Sequence, residues 1–556
     1  MADIRVPVLI VGGGVVGLSS SLFLTHHHVP HLLVERHPTT CIHPRARGVS
    51  GRTMELFRGL GLEDAIRRAG AELAKSNGFL MGKTLLGVLS GEGTAFRMPA
   101  PGATGGASPS PFGLAFAPSD ASPTSAARCP QDRLEPVLLE AARARGGDLR
   151  FHMELVSFEQ DASGVTAALL DRGTGETHTV RADYMIAADG AKSPIRNRLG
   201  VAMEGRGEIS HQLNIYFQAD LSELVKGREF SICTVDHPEV RGIFTSINNT
   251  DLWVFHAIYH PGLGEKPEDY PLERCVDLIR TALGIPDIAI TIRSVLPWAA
   301  TVSVAERFQH GRVFLAGDAA HLMPPWGGMG ASTGIQDAHN LAWKLAAVLD
   351  GRAAPSLLST YDVERRPVAR LAAERSGNMG DRTGIVSPEK WAGSFKENFA
   401  PVGFRYHSAA VLAEADEKDE RSEEDGTRAQ PGEVACQELD GRPGTRAPHV
   451  WLEREGKRTS TLDLFGSSFV LLTGPDGASF CDAARAFGAR SRVPLAAYTL
   501  GEGGDFRCEP SWTDAAGIEA GGAVLVRPDG FVAFRARGGV ETPAHVLGDV
   551  LERILG

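Results

Sequence analysis

The chain has 556 residues, 43% of them apolar and 22% charged, with a formal net charge of −11. That composition belongs to a globular protein with a large core, and the length suggests three or four units at roughly 150 residues each. The acidic balance without a concentrated basic stripe argues against nucleic acid as a partner, and seven scattered cysteines with no CxxC pair argue against a disulfide frame or a zinc site, reading instead as reduced thiols of a cytoplasmic protein.

Arg5 to Val11 reads as a short buried strand. The chain enters it directly, so no signal peptide is expected, and no apolar run is long enough to span a bilayer. Gly12-Gly13-Gly14-Val15-Val16-Gly17 follows, then a helix over Leu18 to Thr25 and a second strand over His31 to Glu35. This strand, glycine turn, helix and strand ending in an acid is the physical recipe for a dinucleotide site. Gly12 permits the tight turn, Gly14 admits a pyrophosphate to the backbone, and Gly17 lets helix and strand pack closely. The helix N-terminus offers free N–H groups and its positive dipole end to phosphates. Glu35, 18 positions after Gly17, stands where an acid accepts hydrogen bonds from a ribose. His27 and His31 have a ligand-like spacing, but Pro30 interrupts any helix that would align them, so no metal is expected.

The segment HPTTCIHPRARG places Arg45, Arg47 and Arg52 at a loop–helix junction, where Arg45 is the favoured neighbour of a pyrophosphate or flavin. Residues 98–130, rich in Pro, Gly, Ser and Ala, read as a flexible loop, either a lid or plain disorder. Gln131 to Arg143 reads as a helix, and Tyr184 to Ala188 as a buried strand opening into Asp189-Gly190-Ala191-Lys192-Ser193-Pro194. Residues 211–307 change to strand-like segments with β-branched and aromatic residues, which predicts an antiparallel sheet inserted into an α/β frame. Trp253, Phe255, Trp298 and Trp326 are candidate walls for a bulky apolar ligand, with plain core packing the competing reading for any one of them.

Arg312 to Ala316 is the next buried strand. It delivers Gly317-Asp318-Ala319-Ala320-His321 and the turn Pro324-Pro325-Trp326-Gly327-Gly328-Met329-Gly330 before a long helix. Asp318 stands at a strand's carboxyl end, where α/β sheets bind ligands, and the turn exposes the N–H groups of a helix N-terminus able to stabilise a reduced, anionic ring. Residues 413–445 are acidic and then Pro/Gly-rich, an expected linker. The strands and helices of 446–556 suit a small thioredoxin-like domain that, without CxxC, has no redox role.

The ordered trio GGGVVG with Glu35, DGAKSPIR, and GDAAHLMPPWGGMG resembles the group A flavoprotein monooxygenases, the family of para-hydroxybenzoate and phenol hydroxylases. HPRARGVSGRTMELFRGLG, CPQDRLEP and LVRPDGFVAFR narrow the resemblance to the aromatic polyketide hydroxylases with a redox-silent C-terminal domain. The resemblance implies an α/β fold: a Rossmann-like FAD-binding domain over 1–200 and 301–412, an inserted β-sheet substrate domain over 201–300, and a thioredoxin-like domain over 446–556. It implies FAD held by Gly12, Gly14 and Gly17 at the pyrophosphate, Glu35 and Arg36 at the adenosine, and Arg45 and Gln131 nearby. Asp318 would stand at the ribityl chain, with Pro325 and the backbone from Gly328 to Gly330 at the ring. Asp189 and Gly190 belong to a motif that in the family serves both FAD and NADPH.

With only one dinucleotide fold present, NADPH would visit transiently, and O₂ would add to the reduced flavin to give a C4a-hydroperoxyflavin. The implied reaction is hydroxylation of a multi-ring, polyketide-type aromatic by a monomer or homodimer that needs neither membrane nor metal. Baeyer–Villiger insertion, oxidative decarboxylation and antibiotic inactivation use the same flavin chemistry and stand as alternatives. A flavin-bound aromatic binder without turnover is the reading from another class. No catalytic base is assigned.

Overall fold

The computed structural model describes residues 4–74, 76, 78–96, 120–380, 404–414 and 439–556. At its centre five parallel strands stand side by side in the order Val313–Leu315, Thr177–Ala187, Ile4–Val11, His31–Glu35, Asp148–Phe151. Val8, Leu9, Ile10, Leu32 and Leu33 are fully buried, the pattern of strands covered on both faces. Antiparallel strands Met153–Asp161 and Gly164–Asp171 extend the sheet beside Thr177–Ala187. Val11 pairs with both Ala187 and Val34, and Ala187 with Leu315, so the three motif turns leave the sheet at one level. The helices Val15–His26 and Met329–Leu349 pack together above them. A Cβ on Gly334 would lie 2.6 Å from Val16 Cγ2, which shows how closely the two approach.

A second sheet of eight strands lies against this frame. Its long pair Met203–Gln218 and Thr291–Ala305 is antiparallel, as are Leu252–Tyr259, Arg241–Ser246 and Ile232–Asp236 beyond it. Phe79–Gly82 and Thr94–Phe96 follow at this edge, the former pairing in parallel with Ile232–Asp236, and His321–Leu322 closes the other edge beside Thr291–Ala305. No strand was expected over Phe79–Gly82 or Thr94–Phe96, which are short and rely on the sheet edge for their hydrogen bonds.

Alternation gives this sheet two unlike faces. Leu213, Ile215, Phe217, Phe244, Trp253 and Phe255 form a core with Cys275 and Ile279 of the helix Leu272–Leu283. This corrects the expectation for Trp253 and Phe255. Trp253 is fully buried, stacks on Phe230 at 5.6 Å and donates its indole N–H to the Ala219 carbonyl at 3.1 Å. Phe255 packs on Phe244 at 4.5 Å. Both belong to the helix-covered side and line no cleft.

The C-terminal unit has the thioredoxin-type order, with strands Leu495–Thr499, Phe469–Thr473, Ala523–Val526 and Val532–Ala536. The first two are parallel and linked through the helix Ala478–Arg490; the last two form an antiparallel hairpin before the helix Pro543–Leu555. It docks on the helix Met329–Leu349, where Trp343 meets Phe469 edge-on at 5.9 Å. Of the expected flexible loop, residues 98–119 lie outside the described residues, whereas Ala127–Arg128 pairs with Gly48–Val49. Residues 415–438 of the expected linker also lie outside them. Among the described residues no helix is long and apolar enough to cross a membrane, and no cluster of His, Cys, Asp or Glu could hold a metal.

Candidate active site

The carboxyl edge of the central sheet brings the three motifs together. Gly12 donates its N–H to Val34 O at 2.8 Å, and Ala188 donates to Val11 O at 2.8 Å. Gly12 has φ +111°, and a Cβ there would sit 2.2 Å from Ala188 O; one on Gly17 would sit 1.8 Å from Gly12 O. Only glycine fits either place. At Gly14 the nearest atom to a Cβ is Glu135 Oε1 at 3.5 Å, so the turn is open on the side that leads into the cleft.

Glu35 Oε2 accepts the Gly13 N–H at 2.7 Å, and Oε1 accepts the His37 backbone N–H at 2.9 Å. Oε1 also lies 2.5 Å from His37 Nδ1, so the acid closes the turn and it is Oε2 that keeps a lone-pair site for a hydroxyl. Arg36 beside it is exposed, its carbonyl accepting from Arg172 Nη1 at 3.4 Å.

The structure separates the two arginines of the HPRARG segment. Arg47 reaches into the second sheet and donates to Ser231 O at 3.1 Å and Ser246 O at 2.6 Å. Burial lowers its guanidinium to about 9. Arg45 is exposed and takes no partner among the described residues. It is close enough to Asp318 and Glu135 to lower both carboxyls electrostatically.

Gln131 opens the helix Gln131–Ala144, its N–H donating to Ala46 O at 2.8 Å and its Nε2 to Glu135 Oε1 at 2.7 Å. Glu135 itself was not singled out from the sequence. It is buried, accepts the Cys41 N–H at 2.7 Å through Oε2, and is pushed up by burial. Its signal was the four-residue spacing from Gln131, which puts both on one helix face.

Asp189 is already occupied. Its carboxylate accepts Ser193 Oγ–H at 2.6 Å and the Ile195 N–H at 3.1 Å, so it shapes its own turn. Buried Arg196 ties that turn to the next motif by donating to Ala319 O and Ala191 O, each at 3.0 Å. Asp318 differs. It is open to water from the cleft, burial against the surrounding protein pushes its carboxyl up, and it takes no hydrogen bond among the described residues.

Beneath it, Gly317 N–H and His321 Nε2–H both donate to buried Asp337 Oδ2, at 3.1 and 2.7 Å. Arg365 Nε donates to Asp337 Oδ1 at 2.7 Å. Pro325 is exposed at the start of the following turn and accepts the Gly328 N–H at 3.0 Å. Gly328, at φ +62° with open space where a Cβ would be, caps the helix Met329–Leu349; Gly330 lies in that helix's first turn.

The cleft has a second wall. Gln212, Asn214, Tyr216, His256 and Trp298 project from the face of the second sheet opposite Trp253. His43 lies against Tyr216 at 5.7 Å, and Trp298 and Trp326 share a small apolar cluster with Ala300 and Met379. Apart from Trp253 and Phe255, the sequence-predicted residues lie along the carboxyl edge of the central sheet and on the face of the second sheet opposite Trp253, with Trp298 and Trp326 in the apolar cluster. An extended dinucleotide fits what is present: an open glycine turn, a carboxylate and a guanidinium with no partner among the described residues, and a helix N-terminus.

Residues 5–376 match the FAD binding domain family, and residues 440–556 match the family described as aromatic-ring hydroxylase, C-terminal. A protein of Streptomyces halstedii provisionally named a polyketide hydroxylase is 44% identical, over 98% of this chain and 97% of its own length. The tetracenomycin A2 monooxygenase-dioxygenase of Streptomyces glaucescens is 39% identical over 100% of this chain and 98% of its own. Aklavinone-11 hydroxylase, solved as a ternary complex with FAD and aklavinone, superposes with a TM-score of 0.84 at 36% identity, covering 100% of both chains.

Proposed function

The chain belongs to the FAD-dependent aromatic-ring hydroxylases, and from that membership we propose that it is a monooxygenase that uses NADPH to hydroxylate a multi-ring, polyketide-type aromatic. The observation that carries the reading is the cleft itself. Asp318 and Arg45, neither with a partner among the described residues, stand at the carboxyl edge of the central sheet, facing a second sheet whose near face carries Trp298, Tyr216 and Asn214.

In this reading Gly12, Gly14 and Gly17 let the backbone take the pyrophosphate at a helix N-terminus, and Glu35 and Arg36 take the adenosine end. Arg45 and Gln131 neutralise and orient the phosphates, and Asp318 accepts from the ribityl hydroxyls. Asp189 acts indirectly, by shaping its turn. Pro325 and the N–H groups from Gly328 to Gly330 meet the ring's polar edge, where the helix dipole favours negative charge. Bound FAD supplies hydride acceptance from NADPH and activation of O₂. The apolar wall of Trp298 and Trp326 orients the aromatic and keeps bulk water from it. Tyr216 and His43 offer no strong base: burial raises the phenol and lowers the imidazole, the latter to about 4. The substrate's own acidity then supplies the nucleophile.

The test is NADPH consumption by FAD-loaded protein. A hydroxylated polycyclic aromatic accelerates it severalfold, and NMR of the product shows a new hydroxyl on an intact carbon framework. Protein that stays colourless when given FAD, or NADPH oxidation indifferent to every aromatic tried, overturns the reading. A ring-expanded product replaces hydroxylation by insertion.

A further inference from the structure

On the cleft face of the second sheet a chain of polar side chains fixes the direction of one amide. Trp298 Nε1–H donates to Asn214 Oδ1. An indole nitrogen can only donate, so the atom it meets is the amide oxygen. His256 Nδ1 lies 2.6 Å from the same oxygen and must therefore carry its proton and donate as well. That leaves His256 Nε2 as an acceptor, and Thr245 Oγ1, 3.2 Å away, supplies the hydroxyl proton. Trp298 and His256, from two different strands, converge on one residue of a third, and Thr245 of a fourth strand backs His256.

The consequence falls on the other half of the amide. With Oδ1 saturated by two donors, Asn214 cannot flip, and its Nδ2 keeps two N–H groups with no partner among the described residues. A second, independent observation lies two residues earlier on the same face. Gln212 is only 2% exposed, and its Nε2 also has no hydrogen-bond partner among the described residues. Same-face neighbours on a strand stand about 7 Å apart, so the wall presents two amide donors in a row. A buried donor left without an acceptor costs about 1–3 kcal/mol, which favours a ligand that brings oxygens to this face. The indole of Trp298, beside both, supplies the flat apolar surface next to them.

We infer that Asn214, held by Trp298 and His256, is a specificity-determining residue that donates to a ring carbonyl or phenolate oxygen of the aromatic substrate, with Gln212 as a second donor. This rests on the aromatic-hydroxylase reading and adds to it the oxygenation pattern the substrate must carry: an acceptor oxygen on the edge of the fused rings that meets the sheet. A purely hydrocarbon ring system gains nothing from the amide.

The test uses two probes on FAD-loaded protein, emodin, an oxygenated fused-ring quinone, and naphthalene, a fused ring without oxygen. Binding is followed by the change in the flavin spectrum. Asn214→Asp is the informative variant, because its carboxylate still accepts from Trp298 and His256 while the donors are lost and a negative charge repels the oxygen they would meet. Emodin binding is expected to weaken at least about tenfold, while naphthalene binding stays within about twofold and FAD content and Tm are unchanged. Asn214→Leu, which removes the donors without adding charge, gives the same split. Emodin binding unaltered in both variants overturns the inference and leaves the hydroxylase reading standing. Loss of both probes together also overturns it, since Asn214 would then merely shape the wall. Wild-type protein that holds FAD and binds neither probe removes the hydroxylase reading and this inference with it.

Discussion

His321 Nε2–H donates to Asp337 Oδ2 at 2.7 Å, and both side chains are fully shielded from water. The same oxygen takes the Gly317 N–H, so this pair fixes the backbone from which Asp318 projects. Burial alone would push the Asp337 carboxyl up, but Arg365 and His321 outweigh it and hold it below the ordinary range. Asp337→Asn leaves Arg365 buried without its counter-charge. The expected cost is about 3–5 kcal/mol, together with weaker FAD retention. Denaturant titration and FAD titration of the apoprotein measure the two effects. An unchanged midpoint would show that the pair does not hold the turn.

Arg45 and Arg47, two residues apart, are expected to fail differently. Arg45→Ala costs little stability, because the side chain is exposed and has no partner among the described residues, yet lowers FAD affinity tenfold or more. Arg47→Ala removes a buried guanidinium and its hydrogen bonds to two carbonyls, at about 2–4 kcal/mol of stability. Paired measurements of Tm and FAD dissociation check the assignment, and it is reversed if Arg47→Ala alone releases the cofactor.

Asp318 predicts a stability gain in the apoprotein. Its carboxyl is raised by burial, so the group has no effect on folding below its unfolded pKa, opposes it increasingly as pH rises from there to the folded pKa, and opposes it in full above that. Asp318→Asn is therefore expected to unfold at a slightly higher temperature than wild type at pH 7 without FAD, and to hold FAD less tightly. Equal Tm values with and without the substitution would mean the carboxylate is better solvated than its surroundings suggest.

The buried histidines set an acid limb. Burial lowers His256 to about 3 and His43 to about 4, whereas both titrate at about 6.5 when unfolded. Between those values the unfolded chain binds protons that the folded chain refuses, so stability falls as pH drops below about 6.5. His43→Phe, which keeps a ring against Tyr216, should flatten the slope of Tm against pH between 6.5 and about 4. A variant with the wild-type slope would place the acid sensitivity elsewhere.

The C-terminal unit is bound to the flavin-side frame by charge. Arg527 donates to both oxygens of Glu364, at 2.5 and 2.9 Å, and Lys344 Nζ donates to Glu364 Oε2 at 2.7 Å, all fully buried. Arg527→Leu leaves Glu364 short of one cation and is expected to cost about 3–5 kcal/mol. Limited proteolysis should then release a fragment ending before residue 446, and an intact digestion pattern would refute this coupling.

What the sequence determined on its own is local. A glycine turn between a buried strand and a helix, an acid at the end of the next strand, and an aspartate delivered by a third strand each have one backbone solution, and Gly12, Glu35 and Asp318 stand where short-range rules put them. The thioredoxin-like order of the last unit was legible for the same reason, since its strands and helices alternate cleanly. The tertiary structure decided everything that depends on which surface meets which. Period-two alternation gives a strand two faces but does not say which one a helix will cover. Leu272–Leu283 settled that by packing on Trp253 and Phe255, which left Gln212, Asn214 and His256 to face the cleft. Arg45 and Arg47 read alike in one dimension and parted only when the second sheet offered Ser231 and Ser246 carbonyls to one of them. The amide of Asn214 is aimed by side chains from positions 245, 256 and 298, and no local pattern encodes a contact made across four strands.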